Sequence, residues 1–300
     1  MLDRTAIMAM DTLLWLQSGE DTAELLHLSA SSVSRKANNC ASALDLALLH
    51  QNNRWQLYGH SPLLDLERQL LQDYRLAGRS PLRLDCCFET RPLLAEATAV
   101  ASSPSCLQRV DAVVPPQPQI QPQAAYELLE DRLIDAYVGT LAPDLPEADR
   151  PLVAIPLLEL PMRILAAADH PLHPSRHIGL RERMAYPSPA IAPAWALPRR
   201  ERLLRQEALG RDPLPSGRDI KELLRSQVLE SGALLPGTAL MATALPGIRP
   251  LAEPLNLSTA LMLVVHLELE RHPRLQALAD QLRELYGDQL LRQGETLVRC

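Results

Sequence analysis

The chain has 300 residues, 47% hydrophobic and 22% charged, enough apolar material for two or three compact cores and too much for a disordered chain. Its formal charge of −6 excludes a protein that coats polyanions through bulk positive charge, although a local basic face stays open. Five cysteines (40, 86, 87, 106, 300) without C-x-x-C spacing argue against a disulfide framework and structural zinc, and the amino end lacks a signal-peptide layout, so a cytoplasmic, soluble protein is expected.

Ile7, Met10 and Leu14 recur at helical spacing, and Ala23 to Leu28 form a second short apolar run. After the turn at Ser29-Ala30, Val33, Ala37, Cys40 and Leu44 step by four, three and four into one apolar stripe of a third helix. Ser29 can cap that helix and leave its first amides facing a phosphate. The opposite stripe is Ser31, Arg35, Asn38 and Ser42, which are mostly small, hydrogen-bonding and free of carboxylates. A helix that enters the DNA major groove needs one dry face to dock on its own domain and one slim polar face for base edges. An ordinary amphipathic surface helix would show the same two faces. Between Ser29 and His60, Arg35, Lys36 and Arg54 stand against Asp45 alone. Leu46 to Tyr58 reads as a hairpin with Asn52-Asn53-Arg54 at its tip, which completes a winged helix-turn-helix layout over residues 1–60.

Ser61-Pro62 is a strong helix start, followed by the stripe Leu63, Leu66, Leu70 and Tyr74, widened by Leu64 and Leu71 and stopped at Gly78. A helix this rich in leucine must bury that face on its own chain or on a twin helix, and residues 61–80 are read as a linker. Beyond residue 80 short strands and helices alternate. Strands are predicted at Leu82–Phe88, Arg109–Val114, Leu133–Val138, Arg163–Ala168 and Ser258–Leu267. Helices are predicted at Pro92–Val100 and Gln123–Arg132, after an Asp219 cap, and from Pro273 to a stop at Gly287. The alternation implies largely parallel sheets with helices on both faces. Pro115 to Pro122 is read as a loop, and the uncharged stretch from Ala233 to Ile248 is too short and too broken for a membrane span.

Several of these segments resemble one family. Thr22 to Arg35 (TAELLHLSASSVSR) resembles the Ala-Ala-x-x-Leu-x-x-Ser-x-x-x-x-Ser-x segment of LysR-type transcriptional regulators, with Thr22 in place of an alanine. Leu48 to Leu57 is similar to that family's wing, with His50-Gln51 where an arginine is usual. Leu128 to Gly139 is similar to its helix-to-strand passage with Asp131 at a glycine, Asp169-His170-Pro171-Leu172 to its His-Pro-Leu, and Ser231 to Pro236 to its Gly-x-Gly-x-x-x-Leu-Pro turn. The resemblance implies an amino-terminal winged helix-turn-helix and a carboxy-terminal α/β effector-binding fold like that of periplasmic binding proteins. That second part covers residues 81–300, with one subdomain from 81–160 and 266–300 and the other from 161–265. It further implies Ser31, Ser32, Ser34, Arg35 and Asn38 on the DNA-reading helix, Arg54 on the wing, and a homodimer or homotetramer paired through the linker helix.

Open α/β sheets bind ligands beyond the carboxyl ends of their strands, where Thr90 and Arg91, Gly139 and Thr140, and Ser188 fall. Such donors would suit a small carboxylate or another anion, or serve only as loop polar groups. His170, His173 and His177 have metal-like spacing, but Pro171 and Pro174 break the helix that a site would need; no metal and no cofactor is expected. G-x-S-x-G, P-loop, G-x-G-x-x-G and H-E-x-x-H patterns are absent from the sequence, so an enzyme is not expected. The reading is a sequence-specific, effector-controlled DNA-binding regulator. The alternative is a LysR-derived ligand-binding or interaction protein with weak or lost DNA binding, suggested by seven basic against nine acidic residues in positions 1–80.

Overall fold

The computed structural model describes residues 3–52, 54–99, 111–115, 122–141, 150–175, 177–190, 198–213, 220–293 and 298–299. The chain begins with three helices, α1 (Arg4–Leu16), α2 (Gly19–Leu26) and α3 (Ala30–Ala43), then the antiparallel hairpin β1 (Ala47–Gln51) and β2 (Arg54–Tyr58). Side-chain caps set each helix start: Asp3 accepts from the Thr5 amide, Ser18 from Asp21 and Ser29 from Ser32. Helix α2 ends on His27 in the left-handed region (φ 52°), and Leu28 N–H returns to the Ala23 carbonyl, so the turn into α3 is short. Val33, Ala37, Cys40 and Leu44 are buried against Ile7, Met10 and Leu14, as the spacing predicts.

Helix α4 (Pro62–Leu76) has two different faces. Leu64, Arg68, Gln72, Arg75 and Leu76 are buried against the rest of the chain. Leu63, Leu66, Leu70 and Tyr74 lie on the surface, with Leu66 63% and Leu70 64% exposed.

The carboxy-terminal part is built on one sheet: β3 (Leu82–Cys86), β4 (Ala112–Val113), β5 (Ala136–Leu141), β6 (Leu152–Ala167), β7 (Leu235–Gly237), β8 (Ile248–His266) and β9 (Val298–Arg299), in the order β4-β3-β5-β8-β6-β7 with β9 beside β6. Its helices are α5 (Arg91–Ala99), α6 (Pro122–Glu130), α7 (Leu180–Met184), α8 (Pro198–Gln206), α9 (Ile220–Ser231), α10 (Ala239–Ala244) and α11 (Pro273–Arg292).

The expectation of largely parallel sheets is corrected. Among the named strands of the described residues only β3 pairs in parallel, with β4 and β5, while β5/β8, β6/β8 and β6/β7 are antiparallel. Two long strands, β6 and β8, run the length of the sheet. Their register shifts near Pro156, Pro161 and Arg163, where prolines without an amide hydrogen break the ladder. Leu157, Leu160, Leu261 and Leu263 share a core with β3 and α11, whereas Met162, Ile164, Leu251 and Leu255 belong to a second core. Both strands therefore change cores at mid-length.

One smaller expectation also changes. Helix α11 continues through Gly287 to Arg292, because Tyr286 and Leu290 prolong its buried stripe. The residue after α6 in the left-handed region is Arg132 (φ 57°). The Pro115–Pro122 loop, the start of the Arg109 strand and the Asp219 cap fall wholly or mainly outside the described residues.

Candidate nucleic-acid interface

The outer face of α3 is open. Ser31, Ser34, Arg35, Asn38 and Ser42 are exposed, and Ser32 is half-buried. Ser29 Oγ donates to Ser32 Oγ (2.9 Å) and accepts from its amide (3.2 Å), which holds the first turn rigid. Asn38 Nδ2 donates to the Ser34 carbonyl (2.8 Å) and keeps its oxygen available to a donor. Lys36 pairs with Asp3 at 2.8 Å, which fixes α3 to the start of α1 and takes that lysine out of the free positive charge. Arg35 and Arg54 pair with no carboxylate among the described residues.

The hairpin is held to the helices by a residue that periodicity does not reveal. Gln17, left-handed at the end of α1 (φ 58°), accepts from Trp55 N–H at 2.6 Å and donates to Trp55 O at 3.1 Å. This places Arg54 at the turn of the hairpin, beside Asn52 in the left-handed region (φ 50°) that a tight two-residue turn requires. Helix α3 and the hairpin tip are thus two polar, cation-bearing projections fixed on one small core.

The expected effector residues divide into two places. Thr90, Arg91, Gly139 and Thr140 meet at the carboxyl ends of β3 and β5, which pair through Cys86 and Val138. Ser188 lies elsewhere, fully buried, donating to the Leu234 carbonyl (2.7 Å) and accepting from the Gly210 amide (2.9 Å). Thr90 is buried too: its hydroxyl bonds the Cys87 and Val138 carbonyls, and its own carbonyl accepts from Tyr286 Oη at 2.9 Å. The Arg91 Nε is buried with no hydrogen-bond partner among the described residues. Gly139 leaves room for a neighbour, since a Cβ there would come within 2.7 Å of the Tyr137 ring.

The group that the sequence reading passed over is Glu89. Its buried carboxylate accepts from Thr140 Oγ1 at 3.2 Å and from Thr238 Oγ1 at 3.1 Å, and Thr238 also caps α10. A resident carboxylate therefore occupies donors that an anion would want, and an incoming anion would meet like charge. The clue in the sequence was Glu89 itself, directly before Thr90. His170 and His173 are committed to backbone: His170 Nδ1 accepts from Leu172 N–H, and His173 Nε2 lies 2.8 Å from the Ala167 carbonyl.

No protein-family model matches the chain, and no curated protein matches it in sequence. Its fold, however, is similar end to end to solved structures of transcriptional regulators. One is a full-length OxyR variant from Pseudomonas aeruginosa (16% identity, 94% of this chain and 98% of that chain, TM-score 0.54). Another is full-length CbnR in complex with its target DNA (14% identity, 94% and 99%, TM-score 0.50). A third is described as a LysR family transcriptional regulator from Pseudomonas aeruginosa (13% identity, 95% and 99%, TM-score 0.51). The fold similar to theirs is helices and a hairpin at the amino end, then a mixed α/β sheet. No helix among the described residues is long and apolar enough to cross a membrane.

Proposed function

We propose that this protein is a DNA-binding transcriptional regulator of LysR type, controlled by a small molecule. In this reading residues 1–60 form a winged helix-turn-helix that inserts α3 into the major groove. Ser31, Ser34, Arg35 and Asn38 face base edges and phosphates there, Ser32 rigidifies the first turn, and Arg54 on the wing reaches the adjacent backbone. The observation that carries it is the exposed, carboxylate-free face of α3, with Arg35 unpaired.

The exposed stripe of α4 supports pairing of two copies through residues 61–80, which would present two reading helices to a two-fold symmetric operator. Residues 81–300 would bind the effector between two α/β halves joined by β6 and β8. The residues at the ends of β3 and β5, Glu89 among them, would face it. Such a ligand changes DNA binding only if its affinity differs between two arrangements of the assembly.

A gel-shift with DNA from upstream of the protein's own gene, at low salt, tests the reading. Retardation by the wild type and its loss in Arg35→Ala support it. No retardation would instead favour a ligand-binding relative that has lost DNA affinity, and equal retardation by both would count against α3 as the element that reads the DNA.

A further inference from the structure

Strand β3 is buried along its whole length, yet apolar and charged residues alternate along it. Leu82, Leu84 and Cys86 enter the core beneath α11. Arg83 and Asp85 point to the opposite face, where side chains two apart must fall. That charged face is covered by the amino-terminal helices. Arg83 Nη2 donates to Thr12 Oγ1 at 2.8 Å, and Trp15 Nε1–H donates to Asp85 Oδ2 at 3.2 Å. Trp15 itself packs among Tyr126, Leu129 and Tyr137 of the sheet domain. Two buried ion pairs flank the contact, Asp11 with Arg68 at 3.0 Å and Asp135 with Arg75 at 2.7 Å, and Asp135 also accepts from the Arg83 amide at 2.8 Å. Sliding the helices over β3 by an ångström would strand several of these groups away from water, so the contact is either made or broken.

The other end of β3 runs into Glu89, three residues past its last paired position, where the carboxylate joins Thr140 on β5 to Thr238 between β7 and α10. One short segment thus holds the amino-terminal helices at one end and both parts of the sheet domain at the other. We propose that β3 couples these two ends: docking of α1 on Arg83 and Asp85 and the Thr140–Glu89–Thr238 bridge belong to one conformational equilibrium. The inference gives the regulator reading its route of communication, but it concerns the chain without DNA or effector and is tested without either. Its failure therefore leaves the gel-shift result untouched, and the converse also holds.

Hydrogen exchange on the full chain is the test. Glu89→Gln weakens the bridge at the far end. It should speed exchange in α1 by about two- to thirty-fold while α8, whose Leu204 packs in a separate core, keeps its wild-type rates. Thr238→Val breaks the same bridge from the other side and should give the same pattern, including where Glu89→Gln fails to fold. Coupling is reciprocal, so Trp15→Phe, which removes the donor but keeps a ring, should loosen 138–141 and 238–244. Faster exchange confined to the neighbourhood of each substitution overturns the proposal. Uniform acceleration in every segment, the mark of simple destabilisation, also overturns it.

Discussion

Arg75 and Asp135, sixty positions apart, meet in a buried two-point contact, Nε to Oδ2 at 2.7 Å and Nη2 to Oδ1 at 2.9 Å. Asp135 is fully buried and accepts in addition from Gln72 and from the Arg83 amide. Helix α4 is thereby fixed to the strand system that it precedes. Breaking one side of a buried pair leaves the other charge without solvent or partner, which costs about 3–5 kcal/mol. Asp135→Asn and Arg75→Met should each lower unfolding free energy by that order in urea titration. The double replacement Arg75→Met with Asp135→Leu should recover part of the loss.

The exposed face of α4 makes a separate prediction. Leu66 and Leu70 contribute little to the packing of their own chain, so Leu66→Glu with Leu70→Glu should change monomer stability by only about 0.5 kcal/mol. If two copies pair through this stripe, the same double variant should shift the mass in sedimentation from dimer to monomer. An unchanged mass would place the oligomer contact elsewhere.

A Cβ at Gly139 would meet the buried Tyr137 ring. Gly139→Ala should push that ring off its place beside Tyr126 and destabilise by about 1–3 kcal/mol, read as a lower melting temperature without any ligand. Thr140→Val, which removes only a hydroxyl that donates to Glu89, should cost less.

Two histidines should contribute to the loss of stability on the acid side. Burial pushes the His170 and His266 imidazoles below their ordinary value of 6.5, with Arg132 adding to the effect at His266 and Glu268 opposing it. The neutral ring is the folded form, and unfolding lets it take a proton. Their contribution is therefore complete above pH 6.5 and falls as the pH drops from there towards the lowered folded values. Melting temperature should decline between pH 7 and pH 5, and His170→Asn should flatten that decline. An identical pH profile in the variant would show that His170 does not contribute.

The amino-terminal helices were legible because local periodicity and capping determine them: Val33, Ala37, Cys40 and Leu44 bury as one stripe, and the Asn52 turn joins two strands where expected. Strand direction was not legible, since a run such as Ser258–Leu267 carries the same alternation whether its neighbour is parallel or antiparallel. The docking of Trp15 on Asp85 and of Arg75 on Asp135 joins positions that no local pattern links. Glu89 was passed over for a related reason: as a carboxylate it did not match the donor chemistry sought there, and its partners Thr140 and Thr238 are distant in sequence.

The central claim is that α3 meets phosphate and base through Arg35, and the salt dependence of binding tests it most directly. Anisotropy titration of a labelled promoter fragment should give an affinity that falls steeply with salt for the wild type. Arg35→Ala should bind more weakly, with a log–log slope shallower by about one unit. A wild type indifferent to salt, or a variant with an identical slope and affinity, would contradict the account.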